Sequence, residues 1–319
     1  MRYRLVKENP KKYGSMTEIL KIGTRASPLA LAQAYETRDR LLAAFPDLTI
    51  EIVELTTTGD KILDRPLAEV GGKGLFTKEL DEALADGRAD ISVHSMKDLE
   101  TSIPSDQALG AVLEREDVRD AFISPKAARL EDLPAGSVVG TSSLRRQAQI
   151  KLKRPDLEVV TFRGNVQTRL RKLAEGQADA TLLAMAGLNR LDKTDVVSSA
   201  LEPEFMLPAV AQGAIAITYR KGDQKVAHWL GALNHEPTRI RVTAERAMLA
   251  TLDGSCRTPI AGLAEFTPDG QMRLRALVAN PEGTLCYQAE RLGPPDEAEA
   301  MGIDAGRELK ALMGDDFFG

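Results

Sequence analysis

The order of apolar and polar residues along the chain predicts alternating strands and helices. Residues 18–22 and 48–55 are rich in strand-forming side chains, and residues 29–45 between them carry apolar side chains at helical spacing. Residues 77–85 predict a further helix that ends at a glycine, and the apolar run 89–93 predicts the next strand. Strands and helices that alternate in this way are typical of α/β domains.

Two short sequence motifs of this region recur in similar form later in the chain. LADGRAD at 84–90 is echoed by LAEGQAD at 173–179, and IGT at 22–24 is echoed by VGT at 139–141. The offsets of 89 and 117 residues differ, so a second copy would lack part of a connecting segment. Two related α/β domains explain both echoes, although short phrases of this kind also match by chance.

Beyond Pro237 the pattern changes. One helix over 241–252, three strand-like runs at 258–266, 272–279 and 285–291, and a terminal helix predict an α+β domain. The predicted fold class is therefore two α/β domains plus a C-terminal α+β domain.

The predicted organisation has four parts. They are a loose N-terminal extension at 1–16, domain 1 at 17–113 with 214–232, domain 2 at 114–213, and domain 3 at 233–319.

The composition is that of a folded protein of aqueous compartments. Apolar residues make up 43% of the 319 residues and charged residues 28%, whereas disordered chains combine low hydrophobicity with high net charge. No apolar run approaches the roughly 18 residues that span a bilayer, and the first residues lack the apolar core of a secretory signal. With only two cysteines, the sequence predicts a cytoplasmic protein without a membrane partner.

Charge is distributed unevenly. Residues 141–193 hold eleven Lys and Arg against five Asp and Glu, a net charge of +6, while the whole chain carries -5. A basic segment in an acidic protein favours an anionic ligand, and the alternative is a set of solvated helix faces.

Several common cofactors are disfavoured. GGKG at 71–74 and TGDK at 58–61 do not fit the phosphate-binding GxxxxGK[ST] motif, and no GxGxxG follows a predicted strand. The three histidines are not spaced with Cys, Asp or Glu as metal ligands usually are, so we expect no metal.

Anion binding is better supported. GTSSLRR at 140–146 places hydroxyl residues and two arginines at a strand-to-helix turn, and GTRAS at 23–27 and FRGN at 162–165 share this design. The planar guanidinium donates two parallel hydrogen bonds to a carboxylate, so several such arginines predict a ligand with several carboxylates. Helix caps and surface charge are the alternative interpretation.

Two further residues are candidates for chemistry. Asp98 follows the predicted strand 89–93, where α/β sheets bind ligands, and it is either a charge stabiliser or a helix cap. Cys256 lies in a Gly/Ser loop beside Arg257, which would lower its thiol pKa, so it is either reactive or an inert loop residue. Cys286 lies in a strand-like run and is expected in the core.

Taken together, the motifs resemble the porphobilinogen deaminase family. The resemblance runs from about residue 19 to the C-terminus and rests on IGTRASPLALAQ, GGKGLFTKEL, HSMKDL, VGTSSLRRQAQ, FRGNVQTRL, AVAQGAI and LDGSC, in that order. It implies two periplasmic-binding-protein-like domains plus the α+β domain, with the chain crossing back into domain 1 after Pro208. Glu100 departs from the family pattern, because many relatives have proline there.

The resemblance also implies a reaction. Four porphobilinogen molecules would lose ammonia and join head to tail on a dipyrromethane cofactor attached to Cys256 by a thioether, giving hydroxymethylbilane. Asp98 would be the catalytic aspartate. The cofactor would contact Ser95, Lys97, Asp98, Thr141, Ser143, Arg145, Arg146 and Phe76. The substrate would contact Arg25, Ser27, Gln33, Arg163, Arg169, Arg190 and Gln212.

Two other classes of function stay open at this point. Paired α/β domains also resemble solute-binding proteins, which need no thiol. Nucleic-acid binding by 141–193 would suit the arginines, but Phe162 is the only aromatic residue there, so we expect no nucleic-acid partner. We expect a monomer.

Overall fold

The computed structural model describes residues 19–61, 74–254, 258–313 and 317. The strands of this part of the chain are β1 (Ile19–Arg25), β2 (Thr49–Leu55), β3 (Ile91–Ser95), β4 (Gln107–Val112), β5 (Asp120–Ile123), β6 (Val138–Gly140), β7 (Glu158–Val160), β8 (Ala180–Ala184), β9 (Ser199–Leu201), β10 (Ile215–Arg220), β11 (Ile260–Phe266), β12 (Met272–Ala279) and β13 (Cys286–Gly293). Its helices are α1 (Pro28–Ala44), α2 (Thr58–Lys61), α3 (Lys78–Ala85), α4 (Leu144–Lys153), α5 (Val166–Ala174), α6 (Met185–Arg190), α7 (Gln224–Gly231), α8 (Glu236–Thr251) and α9 (Ala298–Met313).

The first sheet has the strand order β2-β1-β3-β10-β4. Strand β1 runs parallel to β2 and β3, and β10 enters antiparallel between β3 and β4. The register places Ile22 of β1 opposite Ile52 and Ile91, and Ile22 and Ile91 lie in a buried apolar core with Leu41 of α1. Because β10 follows the whole second sheet in the chain, the predicted return to the first sheet after Pro208 is confirmed.

The second sheet repeats this arrangement with the order β7-β6-β8-β5-β9. Strand β6 is parallel to β7 and β8, as β1 is to β2 and β3. The two echoes in the sequence therefore mark equivalent strands, β1 with β6 and β3 with β8, and the prediction of two related α/β domains is confirmed. Part of the change of offset arises between the first two strands, because α1 has 17 residues and α4 has 10. The rest arises after the second strand, since residues 56–77 separate β2 from α3, whereas only 161–165 separate β7 from α5.

The third sheet, β11-β12-β13, is antiparallel. One face packs on α8 and α9, where Leu274 and Ala276 share a core with Met248 and Ala305. The other face packs against the second sheet's α4, through Leu277 and its neighbours. The predicted α+β unit and fold class are confirmed. The domain boundaries stay a proposal, supported by the division of strands among three sheets.

Helix α8 begins five residues earlier than the pattern predicts. The prediction started it at Arg241, since Pro237 marks a break in most helices. In the structure Pro237 lies in the first turn of α8, where a missing N–H costs nothing because that group has no intrahelical partner.

A buried ion pair joins the parts of the molecule. The Glu245 carboxylate of α8 accepts from Arg115 Nη1 and Nη2 at 2.6 and 3.1 Å, and also from the backbone N–H groups of Ala211 and Ala264. Both charged side chains are essentially unexposed. A buried charge left without its partner is strongly destabilising, so this contact fixes α8 to the segment that joins the first two sheets.

No helix in the described ranges is long and apolar enough to cross a membrane.

The carboxyl group of Asp81 makes the stability of the fold depend on pH. Burial, together with the charges of Glu100 and Asp106, raises the pKa of Asp81 to about 6, against the lowering effect of a Thr77 hydrogen bond. The folded state therefore binds this proton more tightly than the unfolded chain. The stabilisation is fully present below the ordinary Asp pKa near 4 and is lost as the pH rises through about 6.

We therefore expect Asp81→Asn to stabilise the protein more at pH 8 than at pH 4.5. Because Asp81 is partly exposed, solvent screening limits the difference to about 1 kcal/mol. Urea unfolding at the two pH values measures it, with Asp47→Asn, at an exposed position of the same sheet domain, as control. A gain that is equal at both pH values would contradict the expectation.

Candidate active site

The candidate residues lie at the carboxyl ends of parallel strands in the two α/β sheets. Arg25 ends β1, Ser95 ends β3, and Thr141 directly follows β6. Ligands of open α/β sheets bind at this edge, because the loops there leave a crevice between helices.

On the first-sheet side a pocket is lined by several predicted residues. Arg25, Ser27, Gln33, Phe76, Ser95 and Asp98 all contribute to its wall. The Arg25 guanidinium lies 4.3 Å from the centre of the Phe76 ring, and Ser27 caps α1 by accepting from the Ala30 N–H. Gln33 and Ser95 hydrogen-bond each other at 2.9 and 3.0 Å. The pocket therefore holds amide, hydroxyl and guanidinium donors around one carboxylate.

His94 also lines this pocket and is tied to the neighbouring strand β10. Its Nε2 lies 3.0 Å from Thr218 Oγ1 in a buried environment. Burial, with a smaller effect of the Arg25 charge, lowers the pKa of His94 to about 4, so the ring is neutral near pH 7. In the described ranges no group of His, Cys, Asp and Glu has the arrangement of a metal site.

Lys97 and Asp98 form the 3-10 turn that follows β3. Burial lowers the pKa of Lys97 to about 8, an effect that Arg146 and Arg145 increase and that Asp98 and Asp120 oppose. Lys97 Nζ donates to Gln212 Oε1 at 3.3 Å. Lys97 therefore lies between the first sheet and residues 208–214, the crossing segment that returns the chain to the first sheet. Part of its population is neutral at mildly alkaline pH.

The second-sheet side contributes a concentration of guanidinium groups. Burial lowers the pKa of Arg169 to about 10, and the neighbouring charges of Arg146 and Arg163 add to this, while Asp98 opposes it. Arg169 Nε donates to the Gly164 carbonyl at 2.9 Å. The charge of Asp98 on the first-sheet side thus interacts with that of Arg169 on the second-sheet side, and the concentration of guanidinium groups there favours anions.

Arg145 and Arg146 share one buried carboxylate. Asp120 Oδ2 lies 2.8 Å from Arg145 Nη2, and Asp120 Oδ1 lies 2.7 Å from Arg146 Nη2. Burial acts against ionisation of Asp120, but the two guanidinium groups hold its pKa well below the usual range. The pair therefore keeps a net positive charge next to Asp120, at the start of α4.

The remaining hydrogen bonds distinguish the two arginines. Arg146 also donates to the Leu182 carbonyl, so each of its three nitrogens has an acceptor. Arg145 donates to the Leu207 carbonyl, but its buried Nε has no hydrogen-bond partner among the described groups. A buried donor without a partner is costly, and here it adjoins a cationic cluster, which suits an anionic ligand.

Removal of the Asp120 charge should destabilise the fold. In Asp120→Asn two buried guanidinium groups lose their shared counter-charge, and we expect a loss of about 3 kcal/mol in the free energy of unfolding. Asp117→Asn is the control, because Asp117 pairs with the partly exposed Arg119 and should cost below about 1 kcal/mol. Equal losses in denaturant unfolding would show that burial of the Asp120 cluster has no such effect.

Thr141 and Ser143 shape the turn before α4. Ser143 Oγ caps the helix by accepting from the Arg146 N–H, and Thr141 Oγ1 accepts from the Ser143 N–H at 3.1 Å. Their hydroxyl groups thus have local partners, and contact with a ligand stays a prediction.

Arg190 lies at the junction of the two sheets. Its Nε donates to Glu36 Oε2 of α1 at 3.0 Å, and its terminal nitrogens donate to the Gly213 carbonyl. Gly213 has a φ of 92°, and a Cβ there would lie 2.4 Å from the Glu116 carbonyl oxygen, so only glycine fits. Gln212 next to it donates to Asp120 Oδ1 at 2.9 Å. These contacts place both predicted substrate ligands at the crossing segment.

Cys256 lies outside the described residues, between Gly254 and Thr258. The structure therefore gives no contacts for it. Cys286 is described as a free, half-buried thiol at the start of β13, and burial raises its pKa, as befits the expected core position.

Sequence reasoning missed the acidic partners of the cluster. Asp120, Glu36 and Glu245 each bind an arginine that is distant in the chain, and no motif marks them. The one signal was indirect, since an excess of buried arginines needs counter-charges elsewhere.

Family profiles match most of the chain. The profile described as porphobilinogen deaminase, dipyromethane cofactor binding domain, covers residues 20–228. The profile described as porphobilinogen deaminase, C-terminal domain, covers residues 239–311.

Curated proteins of high identity carry the same name. The chloroplastic porphobilinogen deaminase of Pisum sativum is 58% identical over 95% of this chain and 84% of its own length. The porphobilinogen deaminase of Paracoccus denitrificans is 54% identical over 94% of this chain and 96% of its own.

Solved structures that match part of the chain include periplasmic proteins. The Bordetella pertussis BvgS VFT2 domain has a TM-score of 0.41 and 17% identity, over 67% of this chain and 86% of its own. A periplasmic substrate-binding protein of an ABC transporter from Coxiella burnetii has a TM-score of 0.42 and 14% identity, over 71% and 96%.

Proposed function

The chain belongs to the porphobilinogen deaminase family, and from this premise we propose its reaction in detail. It is a transferase of tetrapyrrole biosynthesis. We propose that it joins four porphobilinogen molecules head to tail, with loss of four ammonia molecules and uptake of one water, and releases hydroxymethylbilane. The observation that carries this proposal is the pocket that holds Asp98 with Arg25, together with the buried pair of Arg145 and Arg146 on Asp120.

The described residues fit a dipyrromethane cofactor. Each pyrrole ring carries two carboxylates, and the cluster around Asp120 keeps excess positive charge and the unpartnered donor Arg145 Nε. We propose that Arg145, Arg146, Lys97, Thr141 and Ser143 bind these carboxylates and that Ser95 and Phe76 complete the site. We further propose that Cys256 holds the group as a thioether, so that it supplies a tethered pyrrole carbon as the acceptor for each incoming substrate.

The residues of the pocket would orient the substrate. Arg25 and Ser27 offer donors to its carboxylates from the first sheet, and Arg163 and Arg169 offer donors from the second. Gln33, held by Ser95, would fix one polar group of the ring. We assign Arg190 and Gln212 to the crossing side of the same site, where Arg190 binds the Gly213 carbonyl and Gln212 binds the Val118 carbonyl.

Asp98 would act on charge. Loss of the ammonium group leaves a cationic pyrrole, and a carboxylate beside it stabilises that charge and the pyrrole N–H. Lys97 and Arg169 lie close enough for their positive charges to interact with the Asp98 carboxylate. The carboxylate can then accept the proton that leaves the attacking carbon, or pass it to water.

The test is a mass balance. Purified protein is incubated with porphobilinogen, and ammonia and tetrapyrrole are quantified together. We expect four ammonia molecules for each tetrapyrrole released. Binding of porphobilinogen without ammonia release would instead identify a solute-binding protein.

We also propose that the protein is monomeric and located in the cytoplasm. The Pisum sativum relative is named chloroplastic.

A further inference from the structure

Arg246 of α8 extends to the backbone that follows Asp98. Its Nη1 donates to the Leu99 carbonyl at 3.0 Å and its Nη2 donates to the Glu100 carbonyl at 2.5 Å. Burial lowers the pKa of Arg246 to about 10. In the described ranges this guanidinium donates to these two carbonyls and to no carboxylate. The contact therefore fixes the course of the backbone at Leu99 and Glu100.

Other contacts also hold the turn that carries Asp98. Met96 donates its N–H to the Ala214 carbonyl at 2.9 Å, and the Met96 and Leu99 side chains are buried in the core that α8 shares with the third sheet. The carbonyls at the end of such a turn have no partner within it. Arg246 supplies those partners, so both flanks of Asp98 are fixed against α8.

The same helix leads to the predicted thiol. Helix α8 ends at Thr251, and the chain passes through Gly254 to residues 255–257, which include Cys256. Glu100, whose carbonyl Arg246 binds, accepts from the Gly74 N–H through its carboxylate. One side chain of α8 therefore connects the Asp98 turn, the segment at Gly74 and the helix that precedes the thiol.

We propose that Arg246 is a positioning residue for the reaction. It fixes the backbone after Asp98 against α8 and so sets where the Asp98 carboxylate lies relative to a group held beyond the end of α8. This inference rests on the proposed functions of Asp98 and Cys256. A displacement of about 1 Å at a catalytic group costs on the order of 100-fold in rate, so two hydrogen bonds at this point have a large effect.

The test compares Arg246→Met, Arg246→Lys and a control, Arg241→Met. Arg241 lies on the same helix and also makes two hydrogen bonds, but both are to the first turn of α8. For Arg246→Met we expect kcat to fall about 10- to 100-fold with KM for porphobilinogen nearly unchanged. Lysine should restore part of kcat, and the control should resemble the wild type.

Two further readouts separate positioning from a general structural role. Hydrogen–deuterium exchange over residues 95–101 should accelerate in Arg246→Met and not in the control. In an Asp98→Asn background, Arg246→Met should add little further loss of kcat, because it acts through Asp98. The proposal would be overturned if the kcat losses of Asp98→Asn and Arg246→Met multiplied in the double variant. An equal loss of kcat in Arg241→Met, or unchanged hydrogen–deuterium exchange over residues 95–101 in Arg246→Met, would also overturn it. If wild-type protein releases no ammonia from porphobilinogen, the proposed function fails, while the exchange measurement still decides whether Arg246 fixes this segment.

Discussion

Replacement of Cys256 by serine is expected to leave a folded protein that carries no covalent pyrrole and has lost at least about 1000-fold in turnover. The wild-type protein, denatured before mass spectrometry, should exceed its polypeptide mass by two linked pyrrole units. Denaturation removes every ligand that is not covalently bound, so the excess identifies a bond.

The physical reason lies in the nucleophile. A thioether forms when the thiolate attacks the methylene carbon from which ammonia leaves, and the thiol proton goes to the solvent. We propose that Cys256 reacts as its thiolate, whereas a serine hydroxyl has a far higher pKa and stays protonated. Without the bond, a growing chain has no fixed end in the cleft, and the guanidinium groups would hold it only by exchangeable contacts.

Cys286→Ser provides the matched control, since Cys286 is the only other cysteine of the chain. It is half-buried at the start of β13, and burial raises its pKa, which disfavours the thiolate. This variant should keep the full mass excess and turnover. A mass excess that persists in Cys256→Ser and disappears in Cys286→Ser would reassign the attachment site.

Much of the fold could be predicted because its signals are local. The segment at 29–45 carries helical periodicity, and α1 occupies it within one residue at each end. Strand β12 coincides with the predicted run 272–279. The predicted start of α8 was wrong because proline is common both after the end of a helix and in the first turn of one. At Pro237 the packing of α8 decides that the proline lies in the first turn.

The site was predictable by residue type and less so by contact. The chemistry of arginine predicts carboxylate binding, but the sequence does not show which guanidinium groups already have a carboxylate partner within the protein. In the structure Asp120 neutralises part of the Arg145 and Arg146 pair, and Glu36 binds Arg190 over 154 positions in the chain. Such pairs depend on how two sheets meet, and no spacing within one segment reports that.

The second large effect is expected at Asp98. Asp98→Asn should keep the fold and the covalent group but lower kcat about 100- to 1000-fold, the usual cost of removing one electrostatic stabiliser of a transition state. The amide has nearly the same shape, so the pocket formed by Arg25, Gln33 and Ser95 should still bind substrate, and KM should change little. Steady-state kinetics on protein of verified mass measures both quantities.

The expected effect of Asp98 depends on its charge rather than on its shape, and a second substitution separates the two. Asp98→Glu keeps the carboxylate but moves it by one methylene, so it should recover part of the rate, whereas a role as a helix cap or spacer would favour asparagine over glutamate. Asp106→Asn, an exposed carboxylate eight positions further on, controls for a general loss of negative charge. If Asp98→Asn turned over at nearly the wild-type rate, stabilisation of a cationic pyrrole would have to come from another group, and among the described residues of the pocket wall Asp98 is the one carboxylate available.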